Sequence, residues 1–118
     1  VYKTKVYELA RFINRNGIII PENTITKAPS AELRPNQKDS DSLPEYDILD
    51  AVLDLYIEQE MSATEVIAKG YEKELVVRVI KLVNGAEFKR FQSPPILRVT
   101  RKAFGAGRAM PLVAKYPL

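Results

Sequence analysis

The chain has 118 residues, 28% of them charged, and a formal net charge of +3 at pH 7. At this length it can bury one modest core, so one domain is expected. It contains no cysteine and no histidine, which excludes a disulfide framework, a Cys/His zinc site, a catalytic thiol and a histidine general base within these residues.

The chain begins directly with a helical pattern at Val1, without an initiator methionine or a targeting segment, so we expect a piece cut from a larger protein. No apolar run approaches the roughly 20 residues that cross a bilayer. We therefore expect a cytoplasmic protein that does not contact a membrane.

Charge is distributed unevenly. The basic residues of the C-terminal third are Lys89, Arg90, Arg98, Arg101, Lys102, Arg108 and Lys115. The acidic residues of the middle are Glu45, Asp47, Asp50, Asp54, Glu58 and Glu60. A basic tail indicates an anionic partner such as a nucleotide, a phosphate or a nucleic acid. Charge alone favours a simple solvated face.

The first predicted element is a helix from Lys3 to Asn16. Its apolar residues recur at helical spacing: Val6, Leu9, Ala10 and Ile13. Gly17 is the residue type that commonly ends a helix. The following run, Ile18 to Ile20, is closed by Pro21 and is either a brief buried strand or an apolar plug beneath the next loop. The plug is preferred because no partner strand lies nearby, and residues 1–25 are assigned as helix and plug.

Residues 26–46 are predicted to form a long loop, with the sequence TKAPSAELRPNQKDSDSLPEY. Pro29, Pro35 and Pro44 favour extended geometry in the residues before them. Loops longer than about 12 to 15 residues are usually functional lids or disordered linkers, although a plain solvated loop is equally compatible with the composition.

Residues 47–92 are predicted to be helical. A helix over Tyr46–Glu58 has an apolar stripe, and its acidic residues Asp47, Asp50 and Asp54 lie on the opposite side. A magnesium site there is conceivable, but one helix face supplies too few convergent oxygens, so a solvated face is favoured.

Three shorter elements complete the helical region. Ser62 and Glu65 form a capping-box pattern that begins a short helix ending at Gly70. Residues 72–83 follow with an apolar face of Leu75, Val76, Val79, Ile80 and Val83. One or two helical turns are predicted over residues 87–92, and Pro94 and Pro95 then stop the helix. Residues 93–118 are predicted to be an extended basic tail.

Two pairs of residues have side chains suited to anion binding. Lys27 and Ser30 lie at the base of the loop, where an ammonium and a hydroxyl could contact phosphate oxygens. Lys89 and Arg90 precede the Pro-Pro pair and could reach a carboxylate or a pyrophosphate. Neither pair is a catalytic set. The glycines of FGAGR, Gly105 and Gly107, follow no predicted strand and are not a dinucleotide fingerprint.

Three strings in this order resemble the glutamine-dependent NAD⁺ synthetase family: VYKTKVYELARFIN, the loop string above, and EFKRFQSPPILRVTRKAFGAGR. The resemblance covers essentially the whole chain. It implies the C-terminal segment of the synthetase domain, which has an adenine-nucleotide alpha-hydrolase-like, Rossmann-like α/β fold. It also implies that this segment is mainly α, with little or no strand.

The resemblance implies a function as well. Such enzymes adenylate the nicotinate carboxylate of deamido-NAD⁺ with Mg-ATP, and ammonia from a separate glutaminase domain then displaces AMP. Lys27 matches the lysine that contacts the ATP phosphates, with Ser30 beside it. Lys89 matches the lysine that binds deamido-NAD⁺, with Arg90 beside it. The family's phosphate-binding SGGxDS string is absent here, so ATP and Mg²⁺ are expected to be bound mainly by an upstream core.

The resemblance further implies a homo-oligomeric parent enzyme that does not bind nucleic acid. We expect the isolated segment to be inactive, because it lacks the phosphate loop and any thiol nucleophile. A helix-turn-helix DNA-binding module is the alternative from another class, because residues 62–83 contain two helices joined at a glycine. The first residues of the recognition helix would then include Glu72 and Glu74. Two acids facing phosphates make this alternative unfavourable.

Overall fold

The computed structural model describes residues 1–102, 107–108 and 110–114. Within these ranges the regular secondary structure is helical and no strand is present, which confirms the predicted mainly α fold class. The α-helices are α1 (Lys3–Ile13), α2 (Glu22–Thr26), α3 (Tyr46–Leu53), α4 (Ala63–Ala68), α5 (Lys73–Gly85) and α6 (Glu87–Gln92). The chain divides into two compact units, Val1–Asp50 and Ala51–Leu118.

Helix α1 opens the first unit and confirms the helix predicted from apolar spacing. A 3₁₀ turn, Asn14–Asn16, follows it, and Gly17 ends the turn with a φ of 144°, a conformation that glycine adopts readily. Asp50 holds the other end of α1, because its Oδ2 accepts a hydrogen bond from the Thr4 N–H at 2.8 Å. A carboxylate at this position also complements the positive end of the helix dipole.

Asp50 therefore differs from the solvated acidic face expected for the second helix. The residue is only 8% exposed, because the first turn of α1 lies against its carboxylate. Asp47 is exposed, and Asp54 accepts a hydrogen bond from the side-chain amide of Gln59 at 2.7 Å. In the part of the chain that the structure describes, no cluster of three or more acidic side chains is placed to hold a metal ion.

The segment from Ile18 to Ile20 is not the buried strand or plug that its composition predicts, since Ile18 and Ile19 are 82% and 73% exposed. The Asn14 side chain forms hydrogen bonds with the backbone of this segment instead. Asn14 Oδ1 accepts the N–H groups of Ile19 and Ile20 at 3.0 and 2.9 Å. Asn14 Nδ2 donates to the Ile20 carbonyl at 2.8 Å. Because these backbone groups have local partners, the segment needs no strand pairing and no burial.

The apolar face of α1 also lies at the surface. Its exposed large side chains are Val6, Leu9, Phe12 and Ile13. The residues buried in this unit include Ile25 of α2 and Leu49 of α3. Helix α2 was not predicted, because five residues following a proline carry too little periodicity to indicate a helix.

The helix predicted over Tyr46–Glu58 is α3 followed by a π-helical turn, Asp54–Glu58. Helix α4 begins at the predicted capping box. Ser62 Oγ accepts the Glu65 N–H at 3.3 Å, and Glu65 Oε2 accepts the Ser62 N–H at 2.8 Å. Gly70, with a φ of 101°, closes the turn after α4 as predicted.

The core of the second unit is aliphatic. Its fully buried side chains are Val52, Val66, Val76, Val79 and Ile80. Three of these belong to α5, which confirms the predicted apolar face of that helix. Burying each such side chain contributes about 1.5 to 3 kcal/mol relative to leaving it exposed.

Helix α6 coincides with the helical turns predicted over residues 87–92. From Ser93 to Lys102 the chain has no regular secondary structure. Lys115 of the predicted basic tail and Gly105 of the FGAGR string lie outside the described residues. None of the helices described is long and apolar enough to cross a membrane.

Candidate functional site

Lys27 and Ser30 lie at the start of the loop, and both contact Glu32. Lys27 directly follows α2, and its Nζ donates to Glu32 Oε1 at 2.6 Å. Ser30 Oγ accepts the Glu32 N–H at 3.0 Å, and Glu32 has a φ of 54°, in the left-handed region. The turn therefore brings the predicted ammonium and hydroxyl to one residue. Sequence reasoning did not select Glu32, although it belongs to the same TKAPSAEL string.

The Lys27–Glu32 pair perturbs both groups. The hydrogen bond to Glu32, followed by Coulombic attraction, raises the pKa of Lys27 above its ordinary value of 10.5. The same two effects lower the pKa of Glu32 below 4.5. Both side chains are exposed, so water screens the pair and its net stabilisation is small. A phosphate group, which is more highly charged than a carboxylate, can therefore replace Glu32 as the partner of Lys27.

The far end of the loop is attached by Tyr46 and Asp39. The Tyr46 hydroxyl donates to Asp39 Oδ2 at 2.6 Å, and the Asp39 N–H donates to the Pro29 carbonyl at 2.9 Å. The hydrogen bond to Asp39, together with burial, raises the pKa of Tyr46 to about 12. Asp39 thus ties the beginning of the loop to the first residue of α3. The residues between Pro29 and Asp39 are left as a loop with fixed ends.

Lys89 and Arg90 have different surroundings on α6. Lys89 is exposed, whereas the Arg90 side chain is only 9% exposed. Arg90 Nη1 forms an ion pair with Oε2 of Glu87, one helical turn earlier, and Glu87 is 4% exposed. The structure therefore gives Arg90 a buried carboxylate partner in this chain and leaves the ammonium of Lys89 at the surface.

Arg108 connects the buried carboxylate of Glu87 to two other elements of the second unit. Its Nη2 donates to Asn84 Oδ1 at 3.0 Å and to the Tyr56 hydroxyl at 3.2 Å. Its guanidinium also lies 5.2 Å from the centre of the Tyr56 ring, a cation–π contact. Its Nη1 is buried and lies 3.9 Å from Glu87 Oε2. Sequence reasoning counted Arg108 only as one charge of a basic tail.

An open cleft of about 370 Å³ lies in the second unit, and Tyr56, Met61, Lys102 and Arg108 contribute to its lining. The ammonium of Lys102 is already neutralised, because its Nζ forms an ion pair with Glu60. The backbone N–H of Lys102 donates to Glu58 Oε2 at 2.9 Å. The hydrogen bond from Lys102 lowers the pKa of Glu60. The cleft is therefore not a ready anion site.

A family model described as NAD synthase matches residues 1–93 of this chain. The matched range includes the four residues that sequence analysis assigned to phosphate and substrate binding: Lys27, Ser30, Lys89 and Arg90. Because the match covers well over half of the chain, the chain belongs to the NAD synthase family.

Two individual relatives show which type of NAD synthase this chain resembles. The glutamine-dependent NAD(+) synthetase of Synechocystis sp. is 48% identical over 98% of this chain and 21% of its own length. That of Acinetobacter baylyi is 52% identical over 96% of this chain and 21% of its own length. The suspected relationship to glutamine-dependent NAD⁺ synthetases is therefore confirmed.

A solved structure has a similar fold. It is the glutamine-dependent NAD⁺ synthetase of Acinetobacter baumannii in complex with ADP, which is 41% identical, covers 95% of this chain and 19% of its own, and has a TM-score of 0.58. The chain thus spans about a fifth of the length of these relatives. None of the matches supports a helix-turn-helix DNA-binding module.

Proposed function

We propose that this chain is part of an ATP-dependent amide ligase that converts deamido-NAD⁺ to NAD⁺ with ammonia from glutamine. The supporting observation is that synthetases of this name match nearly the whole chain. In the proposed reaction, a nicotinate carboxylate oxygen attacks the α-phosphorus of ATP, and pyrophosphate leaves. Ammonia then adds to the carbonyl carbon of the acyl-adenylate, and AMP leaves with the electrons of the broken C–O bond.

Residues 26–46 are proposed to close over the acyl-adenylate and exclude water, because hydrolysis would return the carboxylate and waste ATP. Two contacts suit the loop to this role. Its ends are held through Asp39, while its middle has few apolar anchors. One of its cations, Lys27, forms an ion pair with the exposed carboxylate of Glu32, which a phosphate can displace.

Lys89 is proposed to hold deamido-NAD⁺ by a charge-assisted hydrogen bond. Lys89 is exposed on α6, so its ammonium can reach a ligand. The neighbouring Arg90 side chain is instead buried against Glu87. Lys27 with Ser30 is proposed for the phosphates of ATP. These groups bind and orient, and the chain contributes no nucleophile or general base to the reaction.

The other parts of the reaction are proposed to lie in the remaining four fifths of the protein. This sequence has no SGGxDS phosphate loop and no cysteine for a glutaminase. Its described carboxylates do not cluster into a magnesium site, and Asp50 already caps α1. We further propose that the complete protein is a cytoplasmic homo-oligomer.

The proposal is tested with the full-length protein that contains this sequence. Formation of NAD⁺ is measured from ATP and deamido-NAD⁺, with either glutamine or ammonium as the nitrogen source. We expect both nitrogen sources to work, and the isolated 118-residue chain to be inactive with either. A full-length protein that makes no NAD⁺ with ammonium contradicts the proposed activity.

A further inference from the structure

Helix α6 is attached to the second unit in an unusual way. It has only six residues, and a helix this short is not stable without tertiary contacts. Its two phenylalanines, Phe88 and Phe91, are exposed. The charged side chains of the Glu87–Arg90 ion pair are instead little exposed, with Glu87 at 6% and Arg90 at 9% exposure. The orientation of this helix therefore depends on a polar anchor.

The Glu87 carboxylate has three partners in this unit. Oε2 pairs with Arg90 Nη1 and lies 3.9 Å from Arg108 Nη1. Oε1 accepts the Met110 N–H at 3.3 Å. A buried carboxylate is tolerated when cations and N–H donors surround it in this way. Glu87 is thus the centre of the contacts that join α6 to Arg108 and Met110.

Arg108 extends the anchor to the rest of the unit. By donating to Asn84 in α5 and to Tyr56 in the π-helical turn, it fixes the position of Glu87 relative to both elements. The Tyr56 hydroxyl also donates to Asn84 Oδ1 at 3.2 Å. Networks of this kind hold a neighbouring functional group more rigidly than one contact can.

We propose that Glu87 is a positioning residue for Lys89, and this inference rests on the proposed function of Lys89. By binding Arg90 on the inner side of α6, Glu87 fixes the rotation of the helix about its axis. Lys89 is then held on the exposed side. Without the carboxylate, the Arg90 guanidinium loses its ion pair with Glu87, and the helix is no longer held in this rotation. Lys89 is displaced as a result.

The test uses the full-length enzyme and Glu87→Gln, which keeps the side-chain shape and an oxygen acceptor for Met110 but removes the charge. Since misplacing a binding group by about 1 Å can cost up to a hundredfold, we expect KM for deamido-NAD⁺ to rise roughly tenfold or more. KM for ATP should stay within about twofold of wild type, because Lys27, which is proposed for the ATP phosphates, is held by Glu32 of its own loop. The exposed Glu74→Gln is the matched control and should change neither constant.

A double-mutant cycle with Lys89→Ala separates positioning from general structural damage. If Glu87 acts through Lys89, adding Glu87→Gln to Lys89→Ala causes no further rise in KM for deamido-NAD⁺. Additive effects, or an equal loss of ATP and deamido-NAD⁺ binding, overturn the inference. So does an unchanged KM in Glu87→Gln beside a raised KM in Lys89→Ala. If Lys89→Ala itself has no effect, the proposed function of Lys89 fails, and the positioning role fails with it.

Arg108→Lys provides a second variant if Glu87→Gln does not fold. It keeps the positive charge near Glu87 but loses the planar guanidinium that donates hydrogen bonds to both Tyr56 and Asn84. We expect Arg108→Lys to raise KM for deamido-NAD⁺ less than Glu87→Gln does. Adding Arg108→Lys to Lys89→Ala should cause no further rise. A folded Arg108→Lys enzyme with a wild-type KM for deamido-NAD⁺ contradicts the inference.

Discussion

Lys27 Nζ and Glu32 Oε1 lie 2.6 Å apart at the start of the loop, and both side chains are exposed. The contact occupies the ammonium that we propose for the ATP phosphates, so carboxylate and phosphate compete for one cation. Exposed ion pairs contribute little to stability and weaken as salt is added. The pair is therefore easily exchanged, as the proposed closure of this loop over substrate requires.

Variants of this pair should change ATP binding in opposite directions. In the full-length enzyme, Lys27→Ala should raise KM for ATP by about tenfold, the worth of a charge-assisted hydrogen bond. Glu32→Gln should lower KM for ATP by no more than about fivefold, because it removes a weak competitor. Steady-state kinetics with varied ATP measure both, and the exposed Lys73→Ala is the control. A tenfold rise in KM for ATP in Glu32→Gln would show that Glu32 assists ATP binding.

Tyr46 gives the loop anchor a pH dependence. Its pKa is raised to about 12 from 10.0, chiefly by the hydrogen bond to Asp39. The stabilisation from this contact is therefore complete below about pH 10 and is lost as pH rises toward 12. The difference in phenolate absorbance between the full-length wild type and Tyr46→Phe should titrate near pH 12. A difference that titrates near pH 10 would show that Asp39 does not bind the hydroxyl.

Local signals in the sequence predicted local structure well. The capping box at Ser62 and Glu65 and the apolar face of α5 involve residues within a few positions of one another. Their physical basis, hydrogen bonding within one turn and helical periodicity, is contained in the segment itself. The same holds for α1 as a helix, although spacing cannot tell what covers Val6 and Leu9.

Contacts between distant residues could not be predicted. Arg108 is separated from Glu87 by 21 positions and from Tyr56 by 52, so no spacing rule relates them. Spacing also could not assign different surroundings to Lys89 and Arg90. Which of two adjacent cations is buried depends on where a carboxylate lies in the folded unit. Asp50 was likewise expected at a solvated face because its partner, the Thr4 N–H, is 46 positions away in the sequence.

The α4 cap should contribute measurably to stability. Ser62→Ala should lower the free energy of unfolding by about 1 kcal/mol, because the Glu65 N–H loses its acceptor. The side-chain and backbone hydrogen bonds from Ser62 lower the pKa of Glu65 below 4.5, so their contribution is present above that pH and is lost as pH falls further. Denaturant unfolding tests this, with the exposed Ser40→Ala as control. Equal stabilities of the two variants would contradict the capping role.

Arg90 and Lys89 should respond differently to truncation. Arg90→Ala should lower the free energy of unfolding by about 3 kcal/mol, since it removes a partner from the buried carboxylate of Glu87. Lys89→Ala should leave the melting temperature nearly unchanged. Thermal melts of the two full-length variants measure the difference. An Arg90→Ala enzyme of wild-type stability that binds deamido-NAD⁺ poorly would instead make Arg90 a substrate contact.

The central claim is that an exposed lysine of this chain binds the substrate of an amide ligase. Its most direct test is kcat/KM for deamido-NAD⁺ in full-length Lys89→Ala, beside Lys81→Ala as an exposed control on α5. Loss of a charged hydrogen bond predicts a fall of about one to two powers of ten for Lys89→Ala and none for Lys81→Ala, with both melting curves unchanged. An unaltered kcat/KM in a folded Lys89→Ala enzyme would contradict the claim.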